Sequence, residues 1–125
     1  MHFASVRLVT ADIDRLIAFY AMLSEAELTR RAPTFAELRL PGGAVLAIST
    51  EAMIKQFNAG AAIAAANRSA IIEFEVEDVD AVQARLGDAV DYAMPPADMP
   101  WGNRSMLLRD PDGNVINIFA RPKAA

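Results

Sequence analysis

The sequence predicts an α+β fold built from two tandem copies of one unit, each a strand, a helix and further strands. Three observations predict it. Residues 6–16 resemble residues 72–82 at a shift of 66 positions, and residues 38–48 resemble residues 108–118 at a shift of 70. Each copy also changes from β-type runs to helical spacing at an Asp, at Asp12 and again at Asp78. Finally, 125 residues with 54% hydrophobic and 22% charged side chains hold enough apolar material for one compact unit or two halves sharing a core, and too much for disorder.

In the first copy, Val6, Leu8 and Val9 form a short β-prone run that ends before Asp12. Ile13, Leu16, Ile17, Tyr20 and Leu23 then recur on one helical stripe. Two strand-like runs within residues 38–48 are joined by Pro41, Gly42 and Gly43, which reads as a β-hairpin. Residues 51–67 are Ala-rich and are expected to form a partly helical connector.

The second copy repeats the order. Ile72, Phe74 and Val76 lead to Asp78; Val79, Val82 and Leu86 form the helical stripe, with Gly87 as its C-cap. Pro111, Asp112 and Gly113 make the second hairpin turn. The four additional residues that separate the two shifts are expected at residues 94–101. The expected boundaries are about 3–50 for module one, 51–67 for the connector and 69–121 for module two, together a single domain over 1–125. A unit of roughly 50 residues buries too little apolar surface to stand alone. The two are therefore expected to pair, within the chain or by exchange with a second chain, leaving a groove where a ligand sits.

Composition excludes several functions. Twelve Lys and Arg against 16 Asp and Glu give a net charge of −4, and the pI is near 4.9, which argues against a nucleic-acid partner. The absence of Cys excludes disulfides, thiolate metal sites and Cys nucleophiles. A single histidine, His2, leaves a Ser-His-acid triad without a plausible base. Residues 1–7 carry no apolar run with a basic flank, and the Ala-rich stretch at 59–66 is far short of the roughly 20 residues a membrane span needs, so a cytoplasmic protein with no membrane partner is expected.

Local motifs add a family resemblance. Asp12-Ile13 followed by Phe19-Tyr20, and Arg109-Asp110-Pro111-Asp112-Gly113-Asn114 followed by an apolar strand, resemble the vicinal oxygen chelate superfamily, the glyoxalase, bleomycin-resistance and dioxygenase group. The resemblance covers nearly the whole chain. It implies two βαβββ modules whose curved mixed sheets surround a cleft, commonly in a homodimer. It also implies metal-ligand positions on the first and last strand of each module, which fall here on Ser5, Ala47, Ile71 and Asn117. Ile and Ala cannot bind a metal, and Ser and Asn are poor ligands for Zn, Ni or Fe. His2, three residues before Ser5, reads as a frayed terminal residue. A second segment, Pro100-Trp101-Gly102-Asn103-Arg104 leading to Leu107-Leu108-Arg109-Asp110-Pro111, resembles the corresponding segment of bleomycin-resistance proteins and of relatives without a known role.

The expected function is metal-independent binding of a small molecule, similar to the antibiotic-sequestration members, with no cofactor. The alternative is a metal-dependent lyase or dioxygenase of the same superfamily with atypical ligands. Candidate ligand-binding residues are Ser5, Arg7, Ala47, Phe57, Ile71, Glu73, Trp101 and Asn117. Arg7 and Glu73 lie two residues beyond Ser5 and Ile71, so strand alternation points them to the same side. There they pair with other groups or meet a ligand of opposite charge. Trp101, the sole tryptophan, either stacks on a planar ligand or plugs the barrel end. Phe57, with Met53 and Ile54, forms a lid over the cleft or seals a dimer seam. Asn117 stays polar on an inward face. The acidic run of Glu73, Glu75, Glu77, Asp78 and Asp80 is either a solvated edge or suits a cationic ligand. Arg104 makes a structural salt bridge or touches ligand.

Overall fold

In the first unit, residues 1–66, the first strand leads directly into the first helix. Strand β1 (Val6–Thr10) stops at Asp12, whose Oδ1 accepts a hydrogen bond from the Arg15 backbone N–H at 3.1 Å and caps α1 (Ile13–Ser24). Ile13, Leu16, Tyr20 and Leu23 are buried, as their spacing predicts, and Phe19 joins them where the stripe broadens. Its ring meets that of Tyr20 edge-on with centroids 5.2 Å apart. Strands β2 (Thr29–Ala32), β3 (Phe35–Arg39) and β4 (Val45–Thr50) follow, and α2 (Glu51–Phe57) closes the unit with Thr50 as its N-cap. The sheet order is β1-β4-β3-β2, with β1 parallel to β4 and the other pairs antiparallel.

The second unit, from residue 67, repeats this plan in β5 (Ile71–Glu75), α3 (Val79–Leu86), β6 (Asp91–Asp98), β7 (Arg104–Arg109) and β8 (Val115–Ala120), with sheet order β5-β8-β7-β6. Asp78 caps α3 through its Oδ1 and the Ala81 N–H at 3.0 Å. The computed structural model describes residues 1–123. Two tandem modules with open, curved mixed sheets and three helices make an α+β protein, as the internal repeat predicts.

Within each unit, one sheet face meets the helix. In unit one, Leu8, Ala36, Leu38, Leu46 and Ile48 are buried on the side of α1. In unit two, Met106, Leu108, Ile116 and Ile118 occupy the matching positions beside α3. The shift between the copies arises differently from the expected four-residue insertion. Helix α3 has 8 residues where α1 has 12, and the hairpin arm that follows is longer, with an 8-residue β6 in place of a 4-residue β2. Pro95 and Pro96 disguise β6 in the sequence. They are tolerated because β6 is an edge strand whose pairing with β7 shifts register around them.

The second hairpin turn is held by side chains. Buried Asp110 accepts hydrogen bonds from the backbone N–H groups of Asp112 and Asn114, both at 2.9 Å, and from Asn114 Nδ2 at 2.7 Å. Gly113 takes φ +83°, a backbone region that a side chain would strain. Asn114 Oδ1 in turn accepts from Asn67 Nδ2 at 3.0 Å, and Asn67 Oδ1 accepts from the Ser69 and Ala70 N–H groups ahead of β5. The first turn has Leu40 and Ala44 at the places of Asp110 and Asn114, so it forms without that network.

Candidate functional site

The face of each sheet opposite its long helix carries the candidate strand residues Arg7, Ala47, Ile71, Glu73 and Asn117. On unit one, Arg7, Ala47 and Glu37 stand in one row, since Arg7 pairs with Ala47 and Ala47 with Glu37 across β1, β4 and β3. Ser5 falls just before β1 and is exposed. Arg7 donates from Nη2 to Asn58 Oδ1 at 3.2 Å, where Asn58 is the C-cap of α2. Phe57, the preceding residue, is 69% exposed. Glu37 is engaged at both oxygens: Oε1 accepts from Arg31 Nε at 2.5 Å and Oε2 from Arg39 Nη2 at 3.0 Å. The hydrogen bond from Arg31 is the main reason its carboxyl is held below the usual glutamate range; partial burial opposes the shift, and the charge of Arg39 adds to it.

On unit two the corresponding row is Glu73, Asn117 and Leu107. Asn117 Nδ2 donates to Glu73 Oε2 at 2.9 Å, while Asn117 Oδ1 is buried without a hydrogen-bond partner. The amide orientation follows from this contact, because a flipped amide would set its oxygen against the carboxylate. Ile71 lies one pleat away on the same face, paired with Val115 and half exposed. Trp101 occupies the tip of the β6–β7 hairpin, which is closed by Met99 N–H to Asn103 O at 2.7 Å and Gly102 N–H to Met99 O at 2.9 Å. Its ring is 68% exposed.

The predicted residues thus fall in two groups: Ser5, Arg7, Ala47 and Phe57 in unit one, and Ile71, Glu73, Trp101 and Asn117 in unit two. The pairing of β1 with β4 sets Arg7 beside Ala47, and that of β5 with β8 sets Glu73 beside Asn117. The Glu37 cluster and Asn58 were not among the expected residues. The pattern Ala36, Glu37, Leu38, Arg39 carries a signal for the former, since a period of two places both charges on one face. Nothing in the sequence points to Asn58.

Arg104 is committed to structure. Its Nε and Nη2 grip Asp80 at 2.6 and 2.9 Å, and Nη1 reaches Asp98 at 3.0 Å, tying the first turn of α3 to the end of β6. The Arg104 hydrogen bond holds the Asp80 carboxyl below its ordinary range, and its two carboxylate partners push the guanidinium upward. The acidic run from Glu73 is therefore divided by contacts: Glu73 holds Asn117, Glu75 accepts from Arg121 Nε at 3.3 Å, Asp78 caps α3, and Asp80 holds Arg104.

The family model for the Glyoxalase/Bleomycin resistance protein/Dioxygenase superfamily matches residues 2–118. The chain belongs to this superfamily. Among solved structures, a glyoxalase/bleomycin resistance protein/dioxygenase from Nocardioides is 25% identical, with a TM-score of 0.79 over 100% of this chain and 87% of that one. A glyoxalase-related enzyme from Fulvimarina pelagi superposes with a TM-score of 0.82 at 22% identity, covering 99% of this chain and 93% of its own. A superfamily enzyme from Burkholderia phytofirmans PsJN gives 0.79 at 19% identity, covering 94% and 96%. No curated protein matches. No helix among the described residues is long and apolar enough to cross a membrane.

The superfamily implies a divalent metal, and the residues at the expected ligand positions do not fit one. Ala47 offers a buried methyl, Ile71 a hydrocarbon chain, and Ser5 a hydroxyl outside the strand. Asn117 points its Nδ2, a donor, at Glu73. Among the described residues, no three His, Cys, Asp or Glu side chains group so as to hold a metal ion.

Proposed function

We propose that this superfamily member is a metal-independent small-molecule binding protein, similar to the antibiotic-sequestration members, that acts in the cytoplasm as a homodimer and returns its ligand unchanged. The observation that carries the reading is the donor set at the four expected metal positions, Ser5, Ala47, Ile71 and Asn117, which lacks any His or carboxylate. The candidate residues are proposed to contact ligand within each unit, Ser5, Arg7, Ala47 and Phe57 in unit one and Ile71, Glu73, Trp101 and Asn117 in unit two.

The chemistry of unit two favours an aromatic or cationic ligand. Glu73 supplies a carboxylate, and Asn117 Oδ1 is an acceptor whose burial without a donor is costly until one arrives. An ammonium or amidinium N–H satisfies both. Trp101 supplies an exposed ring on which a planar group stacks, with about 0.5–1.5 kcal/mol from the aromatic contact beyond area burial. The net charge of −4 steers a cation toward the protein.

The test is titration of the full chain, in EDTA, with a panel of aromatic cations, read by Trp101 fluorescence and followed by mass analysis of the recovered compound. Saturable binding with the compound unmodified is the expected result. Near-stoichiometric metal in the purified, untagged protein, with turnover that is lost on chelation, would overturn it in favour of a lyase or dioxygenase using other ligands.

A further inference from the structure

We propose that the face of sheet one opposite α1 is an oxyanion-binding surface, with Arg7 as the side chain that receives a carboxylate or phosphate group of the ligand. The proposal rests on the reading of this chain as a small-molecule binder and adds a chemical group to its ligand. Charge count on that face comes first. Arg7 and Arg39 project from it and Arg31 reaches it, against one carboxylate, Glu37. The position of unit two equivalent to Arg7 is held by Glu73, so this one site reverses its charge between the copies.

The distribution of hydrogen bonds comes second. Arg31 and Arg39 spend their charge on Glu37, one at each oxygen. Arg7 stands two strands away, roughly 10 Å in Cα separation at the usual sheet spacing of about 4.8 Å per strand. Among the described residues no carboxylate forms a salt bridge with Arg7. Its one recorded partner is the neutral Asn58 Oδ1 at 3.2 Å. A guanidinium has five N–H donors in a planar fork suited to two oxygens of one anion, so the Asn58 contact fixes the fork and leaves most of its donors for an incoming oxyanion. Asn58 follows Phe57, whose ring is exposed at the end of α2.

A competing role for Arg7 is purely structural, closing the C-terminus of α2 through Asn58. The two roles separate in an NMR titration of the full chain that follows the arginine Nε–Hε signals. Sodium benzoate and inorganic phosphate are the probes, with sodium chloride at matched ionic strength as the blank. The expected result is a saturable shift of the Arg7 signal that exceeds that of Arg104, whose donors are taken by Asp80 and Asp98. Benzoate responding and phosphate not identifies a carboxylate; the reverse identifies a phosphate. Arg7→Gln, checked for an unchanged far-UV spectrum, is expected to abolish saturation, and Arg7→Lys to weaken it at least severalfold because a point charge cannot bind in the forked mode.

The proposal is overturned if neither anion gives a saturable shift in the wild-type protein, or if Arg7 and Arg104 respond alike. A parallel titration with a benzyl-trimethylammonium salt, read at Trp101, keeps the two readings apart. Binding of that cation without any anion effect removes the oxyanion site and leaves the binding function standing. Anion binding at Arg7 with no response to any aromatic cation keeps the oxyanion site and removes the cationic-ligand reading.

Discussion

Replacing Asp110 by Ala tests whether the second hairpin turn is held by its carboxylate or by backbone geometry alone. Three donors lose their acceptor: the N–H groups of Asp112 and Asn114 and the Nδ2 of Asn114. Asn114 is 5% exposed, so both of its donors are left buried, whereas Asp112 is half-exposed and water can replace its acceptor. Two orphaned buried donors at about 1–3 kcal/mol each, less the relief from no longer burying a carboxylate, give a loss of about 3 kcal/mol. For a protein of this size that lowers Tm by about 10 °C. The damage is expected to spread, because Asn114 also holds Asn67 and through it the entry to β5.

Urea unfolding followed by circular dichroism measures the loss, and amide exchange locates it at residues 67–75 and 110–114. Asp110→Asn keeps an acceptor for the two backbone donors and is expected to cost about 1–2 kcal/mol. The reasoning has an internal control in the first turn, which forms with Leu40 and Ala44 in the equivalent places. A loss below about 1 kcal/mol for Asp110→Ala would refute the argument and show that the glycine geometry shared by both turns is sufficient.

Arg104→Ala is expected to lower Tm by less than half as much as Asp110→Ala, since the pairs with Asp80 and Asp98 are solvent-facing; Arg104→Lys should not restore the bidentate grip, and added salt should shrink the difference. Ser49→Ala is expected to be neutral or stabilising by up to about 1 kcal/mol in urea unfolding, because the Ser49 hydroxyl is buried with no partner. Glu37, Glu51 and Asp80 are all held below their ordinary range in the folded protein. The stability they contribute is therefore present at neutral pH and lost as pH falls through and below that range. A Tm series from neutral to acid pH should be level first and then fall, and Glu37→Gln should make the fall shallower.

Much of the fold was legible because the helix-facing half of each sheet obeys the core. Leu8 and Phe74, Leu46 and Ile116, Ile48 and Ile118, and Leu38 and Leu108 are apolar in both copies, so the repeat survives at those positions. The caps at Asp12 and Asp78 and the two hairpin turns carry specific residue types for specific backbone reasons. Strand β6 was harder to read, since two prolines hide a strand that only an edge position permits. The trade of a shorter helix for a longer hairpin was hidden too, because an internal alignment sees only the net shift. For the candidate site, alternation gave only the side of the strand that Arg7 and Glu73 occupy. It gave no means of finding which partner each charge takes, because Asn58 lies 51 positions from Arg7 and Asn117 lies 44 from Glu73.

The two copies differ most on the sheet faces turned away from α1 and α3. Across those faces, Arg7, Ala47 and Glu37 of unit one correspond to Glu73, Asn117 and Leu107 of unit two. Every one of these pairs changes chemical type, and the first reverses its charge, although the backbone register beneath them is the same. A position on the helix side cannot tolerate such a change, because an unpaired charge buried there costs several kcal/mol. On the open face, a charge needs only water or one partner, as Asn58 supplies for Arg7 and Asn117 for Glu73. The same backbone plan therefore carries opposite charge at one equivalent pair of positions, Arg7 and Glu73. On the proposed readings, an oxyanion is matched to Arg7 of unit one and a hydrogen-bond-donating cation to Glu73 of unit two. A compound bearing only one of the two is then expected to respond to substitution at only one of Arg7 and Glu73.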